Sequence, residues 1–346
     1  MAIVAFKATM IRYFDYISLI FLLPLSNHLK RKAQDTIMKA VRIHQYGNRD
    51  QLVLEDAPMP VVNADDVLIR TVAASINPVD WKIRAGYLKD MIPYKMPLIL
   101  GWDVSGEIVQ IGENVTDFKV GDEVYSRPDI TRDGTYAEYV AVRANEVAYK
   151  PKNISHAEAA SLPLAVISAW EVLITTAQIQ EGQKVLIHAG SGGVGSLAIQ
   201  LAKSRGAHVI ATTSAKNIEL VTSLGADEII NYQTQNFAEI VKDVDVVFDT
   251  LGGDVQAASW SVLKKGGILV SLVDQPSEEK AKEFGVKSAF VFIQPSQAIL
   301  NEVTQLIESE KIHPIVGATY KLDEIAKAHE LSESARAVGK IVLSIG

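Results

Sequence analysis

Two patterns of apolar and polar positions divide the chain. From Met38 to about Asn153 they alternate over short runs, "DDVLIRTVAASINP", "VSGEIVQIGENV", "GDEVY" and "GTYAEYVAV", broken by glycine and proline. Period-two alternation interrupted in this way predicts short half-buried strands, and several in succession predict a small β-barrel-like domain. The spacing turns helical over "SHAEAASLPLAVISAWEVLIT" (Ser155 to Thr175), where Ser155 stands as an N-cap three residues before Glu158.

From Gln183 strands and helices alternate. Predicted strands are Val185–Ala189, His208–Thr212, Val244–Asp249 and Ile268–Leu272, with a further one in "SAFVFI". Predicted helices are Val194–Ser204, Ile218–Ser223, Gln256–Lys264 and Gln297–Glu310. Alternation at this spacing predicts an α/β, doubly wound parallel sheet. The tail "HPIVGATYKLDEIAKAHELSESARAVGKIVLSIG" reads as strand, helix and strand, expected to return to the first domain. No internal repeat or low-complexity tract interrupts this order.

Composition narrows the function. The chain has 346 residues, enough for about two domains. A net charge of −7, with no basic face, argues against a nucleic-acid partner. There is no cysteine, which excludes disulfides, thiolate catalysis and thiolate zinc sites, and a cytoplasmic location is expected. Residues 1–37 stand apart, with five bases against two acids, so the remainder carries −10. Their apolar run, Tyr16 to Leu25, is shorter than the roughly 20 residues of a membrane-spanning helix. The expected reading is an upstream leader outside the fold, and the alternative is a targeting or membrane-surface segment. No stable membrane association is expected of so acidic a body.

The candidate chemistry begins with "HAGSGGVGSLAIQLAK". Gly190, Gly192 and Gly195 form G-x-G-x-x-G between an apolar strand and a helix, with Ser191, Gly193 and Val194 filling the turn. The first glycine is expected to allow a tight turn, the second backbone approach to a pyrophosphate, and the third close helix–strand packing. The helix N-terminus offers unpaired N–H groups to the phosphates. Sites for NAD usually place an acid about 20 residues further on, to bond the ribose 2′-hydroxyl. Here "ATTSAKN" occupies that place, and no acid occurs between Ala189 and Glu219. Ser214, Lys216 and Asn217 can instead donate to a 2′-phosphate, so NADPH is the expected cofactor.

With these residues in place, Met38 to Gly346 resembles the medium-chain dehydrogenase/reductase superfamily. It is most similar to the zinc-independent quinone oxidoreductase group, which includes zeta-crystallin-like and plant-type enone oxidoreductases. The motifs carrying the resemblance are "NPVDWKIRAGY", "PLILGWDVSGEIVQIGENVTDFKVGDEVY", "GTYAEY", "LPLAVISAWEVL", "HAGSGGVGSLAIQLAK", "SLGADEIINY" and "GKIVL". The resemblance implies a GroES-like β-barrel catalytic domain over 38–160 and 311–346, and a Rossmann NADPH-binding domain over 161–310. It also implies a homodimer in which the "VKSAFVFI" edge strand pairs across a two-fold axis.

Zinc members of the superfamily hold a catalytic metal with a cysteine and a histidine. Those positions read Asn77 in "NPVD" and Trp102 in "GWD", neither of them a zinc ligand, and the structural zinc lobe is absent. The seven histidines form no metal-ligand motif, so no metal is expected. Without a metal, the simpler chemistry is hydride delivery to an electron-poor acceptor: a quinone, or the β-carbon of an α,β-unsaturated carbonyl. Charge developing on the acceptor oxygen needs a donor, and the candidates are Asn77, Lys82 and Tyr87. Asp80 is expected to orient its loop, and Trp102 to form a cleft wall filling the empty metal position. By resemblance, Asn77 lies near the nicotinamide and ribose, Ser168 touches the phosphate or ribose, and Tyr232 holds the adenosine phosphate. Leu272 and Phe290 to Ile293, including Val291, line the nicotinamide side, and Lys340 reaches back to the phosphates. Alternatives are an enoyl-thioester reductase of the same superfamily and a non-catalytic NADPH-binding redox sensor.

Overall fold

The structure, a computed structural model, describes residues 36–346. Of the expected leader only Thr36 and Ile37 fall inside that range; the rest lies outside the described residues. Thr36–Met38 and Asp56–Met59 belong to one small unit, in which the Met59 N–H donates to the Thr36 carbonyl at 3.0 Å. Lys39–Glu55 and Pro60–Gly346 form the other, which carries the site described below.

The first strands are β1 (Ile37–Ile43), β2 (Val53–Pro58), β3 (Asp66–Ile76), β4 (Leu98–Ile99), β5 (Val104–Ile111), β6 (Glu123–Ser126), β7 (Tyr139–Arg143) and β8 (Val147–Tyr149). One helix, α1 (Pro78–Arg84), follows β3. Strand β3 is the spine of this half. One of its edges pairs along its length with β5, which continues through β6 to β8. The other edge is shared: Asp66–Arg70 pair with β7, and Ala73–Ile76 receive the last strand of the chain. An inward row of Val67, Ile69, Val104, Ile108, Val124, Val140 and Val142 forms the barrel core, as alternation requires.

The predicted helical stretch after Ser155 is two helices. Ser155 caps α2 (His156–Ala160) in a reciprocal capping box with Glu158, and α3 (Pro163–Trp170) restarts with Pro163 in its first turn. A π-helical turn over Glu171–Thr176 ends it.

Six parallel strands follow, β9 (Lys184–Ile187), β10 (His208–Thr213), β11 (Glu228–Asn231), β12 (Val244–Asp249), β13 (Leu263–Ser271) and β14 (Lys287–Phe290), in spatial order β11-β10-β9-β12-β13-β14. They alternate with α4 (Gly193–Ser204), α5 (Ile218–Ser223), α6 (Phe237–Ile240), α7 (Gly253–Ser259) and α8 (Glu278–Phe284). This is the expected doubly wound sheet, and its order reverses at β9, whose carboxyl end faces the crevice where ligands bind. Several predicted boundaries shift by a residue or two, and two junctions differ by more. The helix expected to reach Lys264 stops at Ser259, because Leu263 is already paired with Val244 ahead of a bulge containing Gly266 at φ +79°. The "SAFVFI" strand ends at Phe290; the Val291 N–H still bonds the Ser271 carbonyl, and Pro295 then breaks the run.

Helix α9 (Gln297–Glu308) ties the two halves together. Gln297 Nε2 donates to the Ala144 and Val147 carbonyls, and the Tyr125 hydroxyl donates to the Leu300 carbonyl at 2.7 Å. The tail forms β15 (Val316–Lys321), α10 (Ile325–Glu333) and β16 (Lys340–Ser344). Strand β16 pairs antiparallel with β3, Ile341 opposite Ile76, so the tail does return to the first sheet.

At the start of β3, Asp66 accepts two parallel bonds from Arg132, at 2.9 and 2.8 Å. Burial alone pushes this carboxyl up, but the bonds from Arg132 and Asn63 outweigh it and hold Asp66 at about 2. A depressed carboxyl stabilises the fold above its unfolded value and loses that contribution as pH falls through the folded one. Denaturant titrations should therefore show stability falling from about pH 4 towards pH 2, and Asp66→Asn should flatten that slope.

Candidate active site

The glycine turn follows β9. Its left-handed residue is Ala189, at φ +52°, and not Gly190. Gly190 is needed for packing instead: a Cβ there would meet Ala211 and Ile199 at 3.0 Å. At Gly195 a Cβ would lie 2.1 Å from the Ala189 carbonyl oxygen, so only glycine lets α4 start this close to β9. At Gly192 a Cβ would meet only the Ala189 oxygen, at 3.3 Å, which leaves the other side open to a ligand. Gly192 also caps the twelve-residue helix α4 without any side-chain bond, so no cap occupies the first N–H groups of that helix. These features fit a dinucleotide pyrophosphate.

Beside the turn lies a knot of small polar groups. Thr213 Oγ1 donates to Ser191 Oγ at 3.0 Å, and Asn217 Nδ2 donates to Ser191 Oγ and Ser214 Oγ at 3.1 and 3.2 Å. In this arrangement both serine oxygens act as acceptors, so each hydroxyl proton stays free to be given to a ligand. The Tyr232 N–H closes the knot on the Thr213 carbonyl at 3.1 Å, while its ring is 62% exposed. Lys216 is exposed at the edge. Of these, Thr213 was not singled out from sequence, since a threonine ending a strand carries no signal of its own.

A second cluster lies where the first sheet meets the glycine turn. Asn77 caps α1: its backbone N–H donates to Asp80 Oδ2 at 2.8 Å. Its side chain is buried and fully oriented, because Lys340 Nζ donates to Asn77 Oδ1 at 2.5 Å and Asn77 Nδ2 donates to Asp103 Oδ2 at 2.8 Å. Lysine can only donate, which fixes the amide's two ends. Asp103 Oδ2 also accepts from Ser75 Oγ and from Lys340, and Asp103 Oδ1 accepts the Leu164 N–H at the start of α3. The sequence shows Asp103 only as the last letter of "GWD", and its role here was missed.

Lys340 was expected to reach the phosphates. Its stem does cross the glycine turn, where a Cβ on Gly193 would lie 2.7 Å from Lys340 Cδ, but its ammonium turns into the Asn77 cluster and also bonds the Ile76 carbonyl at 3.0 Å. A buried ammonium goes where carboxylate and carbonyl oxygens surround it. The adjacent Gly339 N–H donates to the Ser191 carbonyl at 2.8 Å. One dipeptide thus joins the glycine turn to the Asn77 cluster.

The remaining candidates are dispersed. Lys82 is half-buried on the last turn of α1, its Nζ 5.8 Å from the centre of the Trp81 ring, and Tyr87, 73% exposed, meets Trp81 edge-on. Neither joins the Asn77 hydrogen-bond cluster. Ser168 is buried on α3 and donates to the Leu164 carbonyl at 2.8 Å. Leu272, Val291 and Val194 are partly buried against the core of the second half, whereas Phe290 is exposed at the end of β14. Trp102 is fully buried, with its N–H on the Arg132 carbonyl, so it is core and not a cleft wall.

Residues 63–152 match the family model described as alcohol dehydrogenase GroES-like domain, and residues 224–343 match zinc-binding dehydrogenase. The chain is 38% identical to a 2-methylene-furan-3-one reductase of Solanum lycopersicum, covering 88% of this chain and 79% of that one. An NADPH-dependent alkenal/one oxidoreductase, chloroplastic, of Arabidopsis thaliana is also 38% identical, with the same coverage. Among solved structures, the quinone oxidoreductase from Coxiella burnetii superposes with a TM-score of 0.85 at 35% identity, over 90% of this chain and all of that one. Among the described residues no helix is long and apolar enough to cross a membrane.

Asp80 lies fully buried under this cluster. Burial pushes its carboxyl up to about 7, and the bonds from Tyr136 and Asn77 only partly offset that. Both bonds go to Oδ2, while Oδ1 has no hydrogen-bond partner among the described residues, so the proton has a place that disturbs neither bond. The folded state then binds a proton that the unfolded chain has released, and stability falls as pH rises from about 4 to about 7. Asp80→Asn keeps an oxygen for both donors and should remove this slope in denaturant titrations.

Proposed function

The chain belongs to the medium-chain dehydrogenase/reductase superfamily, in its zinc-independent quinone and enone oxidoreductase group, and on that premise we propose that it is an NADPH-dependent reductase of quinones or α,β-unsaturated carbonyls. The observation that carries the reading is the junction at Gly339–Lys340, which sets an open glycine turn against the buried Asn77 cluster. When bound, NADPH supplies the hydride. The uncapped N–H groups of α4 would hold its pyrophosphate, and the Ser191 and Ser214 hydroxyls, oriented by Asn217 in an acid-free knot, would donate hydrogen bonds to its 2′-phosphate, with Lys216 adding charge. Asn77, held on three sides, would meet the nicotinamide and ribose when the cofactor is bound. Hydride delivery here uses no metal. Asn77 has both ends of its amide committed, and the Trp102 indole offers a donor but no lone pair. Lys82, over Trp81 on the last turn of α1, supplies the donor to the acceptor's developing oxygen charge, with Tyr87 beside Trp81 as the second candidate.

The division into 38–160 with 311–346 and 161–310, the cytoplasmic location and a homodimer belong to the same proposal. Strand β14 ends its sheet with Phe290 and Phe292 exposed, which suits edge pairing with a second copy.

Oxidation of NADPH by a panel of quinones, enones and enoyl thioesters tests the reading. Turnover with NADPH should exceed that with NADH by about tenfold or more, since an unmatched phosphate interaction of about 1.4 kcal/mol already gives that factor. Equal use of both would refute the cofactor assignment, and tight NADPH binding without turnover on any acceptor would favour a sensor. Lys82→Met should lower kcat on an enone by about 10- to 100-fold, and an unchanged rate removes Lys82 from the chemistry.

A further inference from the structure

A second route of hydrogen bonds leaves Asn77 and runs through the interior to the C-terminal helix. Asp80 Oδ2, which accepts the Asn77 N–H, also accepts the Tyr136 hydroxyl at 2.6 Å. Tyr136 Oη lies 3.3 Å from His329 Nε2, and His329 Nδ1 lies 2.8 Å from Arg84 Nη1. Arg84 Nη2 ends the route on Glu333 at 2.7 Å, near the surface. Asp80, Tyr136, His329 and Arg84 are all buried. They come from three places: Asp80 and Arg84 share one face of α1 at i, i+4, Tyr136 precedes β7, and His329 lies on α10.

The direction of every bond follows from one residue. A guanidinium has no acceptor, so His329 Nδ1 must accept from Arg84 and its proton must sit on Nε2. Nε2–H therefore donates to the Tyr136 oxygen, which leaves the Tyr136 proton for Asp80. Burial, with the nearby Arg84 and Arg49 charges, lowers His329 to about 3, which keeps it in this neutral, one-way form. Because Arg84 cannot release a proton, the route is no proton wire. It is a set of buried polar bonds with a single allowed arrangement. An apolar filling of the same space need not be less stable, so stability alone does not account for it. What it delivers is a fixed carboxyl oxygen under the Asn77 backbone. The same C-terminal segment grips the Asn77 side chain, since β16, which follows α10, carries Lys340.

We propose that Tyr136 and His329 are positioning residues: through Asp80 they set the backbone of Asn77, and so couple helix α10 to the geometry of hydride transfer. The kinetic part rests on the reductase reading; the structural part does not. The test compares Tyr136→Phe, His329→Leu and His329→Gln in the full chain. Glutamine offers an acceptor and a donor in the 1,3 relation of the imidazole nitrogens, so it can take both bonds.

Two measurements are made. Peptide-resolved hydrogen exchange of the cofactor-free protein over residues 75–82 reads the Asn77 backbone. Single-turnover hydride transfer from NADPH to a small enone reads the chemistry. Tyr136→Phe and His329→Leu should speed exchange in that segment and slow transfer by about tenfold, with the KM for NADPH within about threefold, and His329→Gln should restore both. Exchange unchanged in Tyr136→Phe and His329→Leu, or His329→Gln no better than His329→Leu, overturns the proposal. If His329→Leu does not fold, Tyr136→Phe against His329→Gln decides: a loosened first and a wild-type-like second support it, and the reverse overturns it. A wild-type protein that transfers no hydride to any acceptor would instead sink the reductase reading, while the exchange result would still decide the positioning role.

Discussion

The ammonium of Lys340 is the contact on which the site depends. It is buried with Asp103 at 3.2 Å and makes two further bonds, to the Ile76 carbonyl and to the Asn77 amide. Removing one partner from a buried pair of this kind typically costs about 3–5 kcal/mol, because the other charge is stranded. That asymmetry links three segments far apart in sequence: the end of β3, the start of β5 and the start of β16. It also explains why Gly193 carries no side chain, since the Lys340 stem occupies the space a Cβ would need.

The nucleotide turn and the Asn77 cluster are two ends of one construction. The reversal of strand order at β9 opens a crevice at the carboxyl ends of the strands, and the uncapped α4 points into it. Strand β16 reaches that crevice from the other side because it is paired to β3. Gly339, just before the strand, bonds the Ser191 carbonyl, and Lys340, its first residue, bonds the Asn77 side chain. The α9 bonds to the Ala144 and Val147 carbonyls hold the two halves at a second place. With both contacts in place, the glycine turn and the Asn77 cluster keep a fixed spacing, which positioning of a hydride donor would require.

Much of this was legible in the sequence, because it depends on local pattern. Alternation marked the strands of the first sheet, Ser155 and Glu158 marked a capping box, and the strand–glycine–helix order marked the nucleotide turn with its acid-free flank. One of the misread boundaries follows from tertiary pairing. Leu263 and Lys264 continue a helical pattern locally, yet Leu263 is taken by pairing with Val244, a contact that no local rule contains. Likewise the left-handed residue of the tight turn expected at Gly190 is Ala189, while Gly190 packs against Ala211 and Ile199.

What the sequence determined by itself is the class of chemistry: a dinucleotide turn without an acid partner, and residues unsuited to zinc where zinc relatives bind it. Tertiary structure decided which side chains meet. The partners of Asn77 lie at Asp103 and Lys340, Asp80 is met by Tyr136, and Tyr136 in turn by His329, separations that no motif spans. Burial makes those meetings matter, because a lysine or a carboxyl in the interior must take the partners the fold presents. That is why Lys340, expected at the phosphates, holds Asn77 instead.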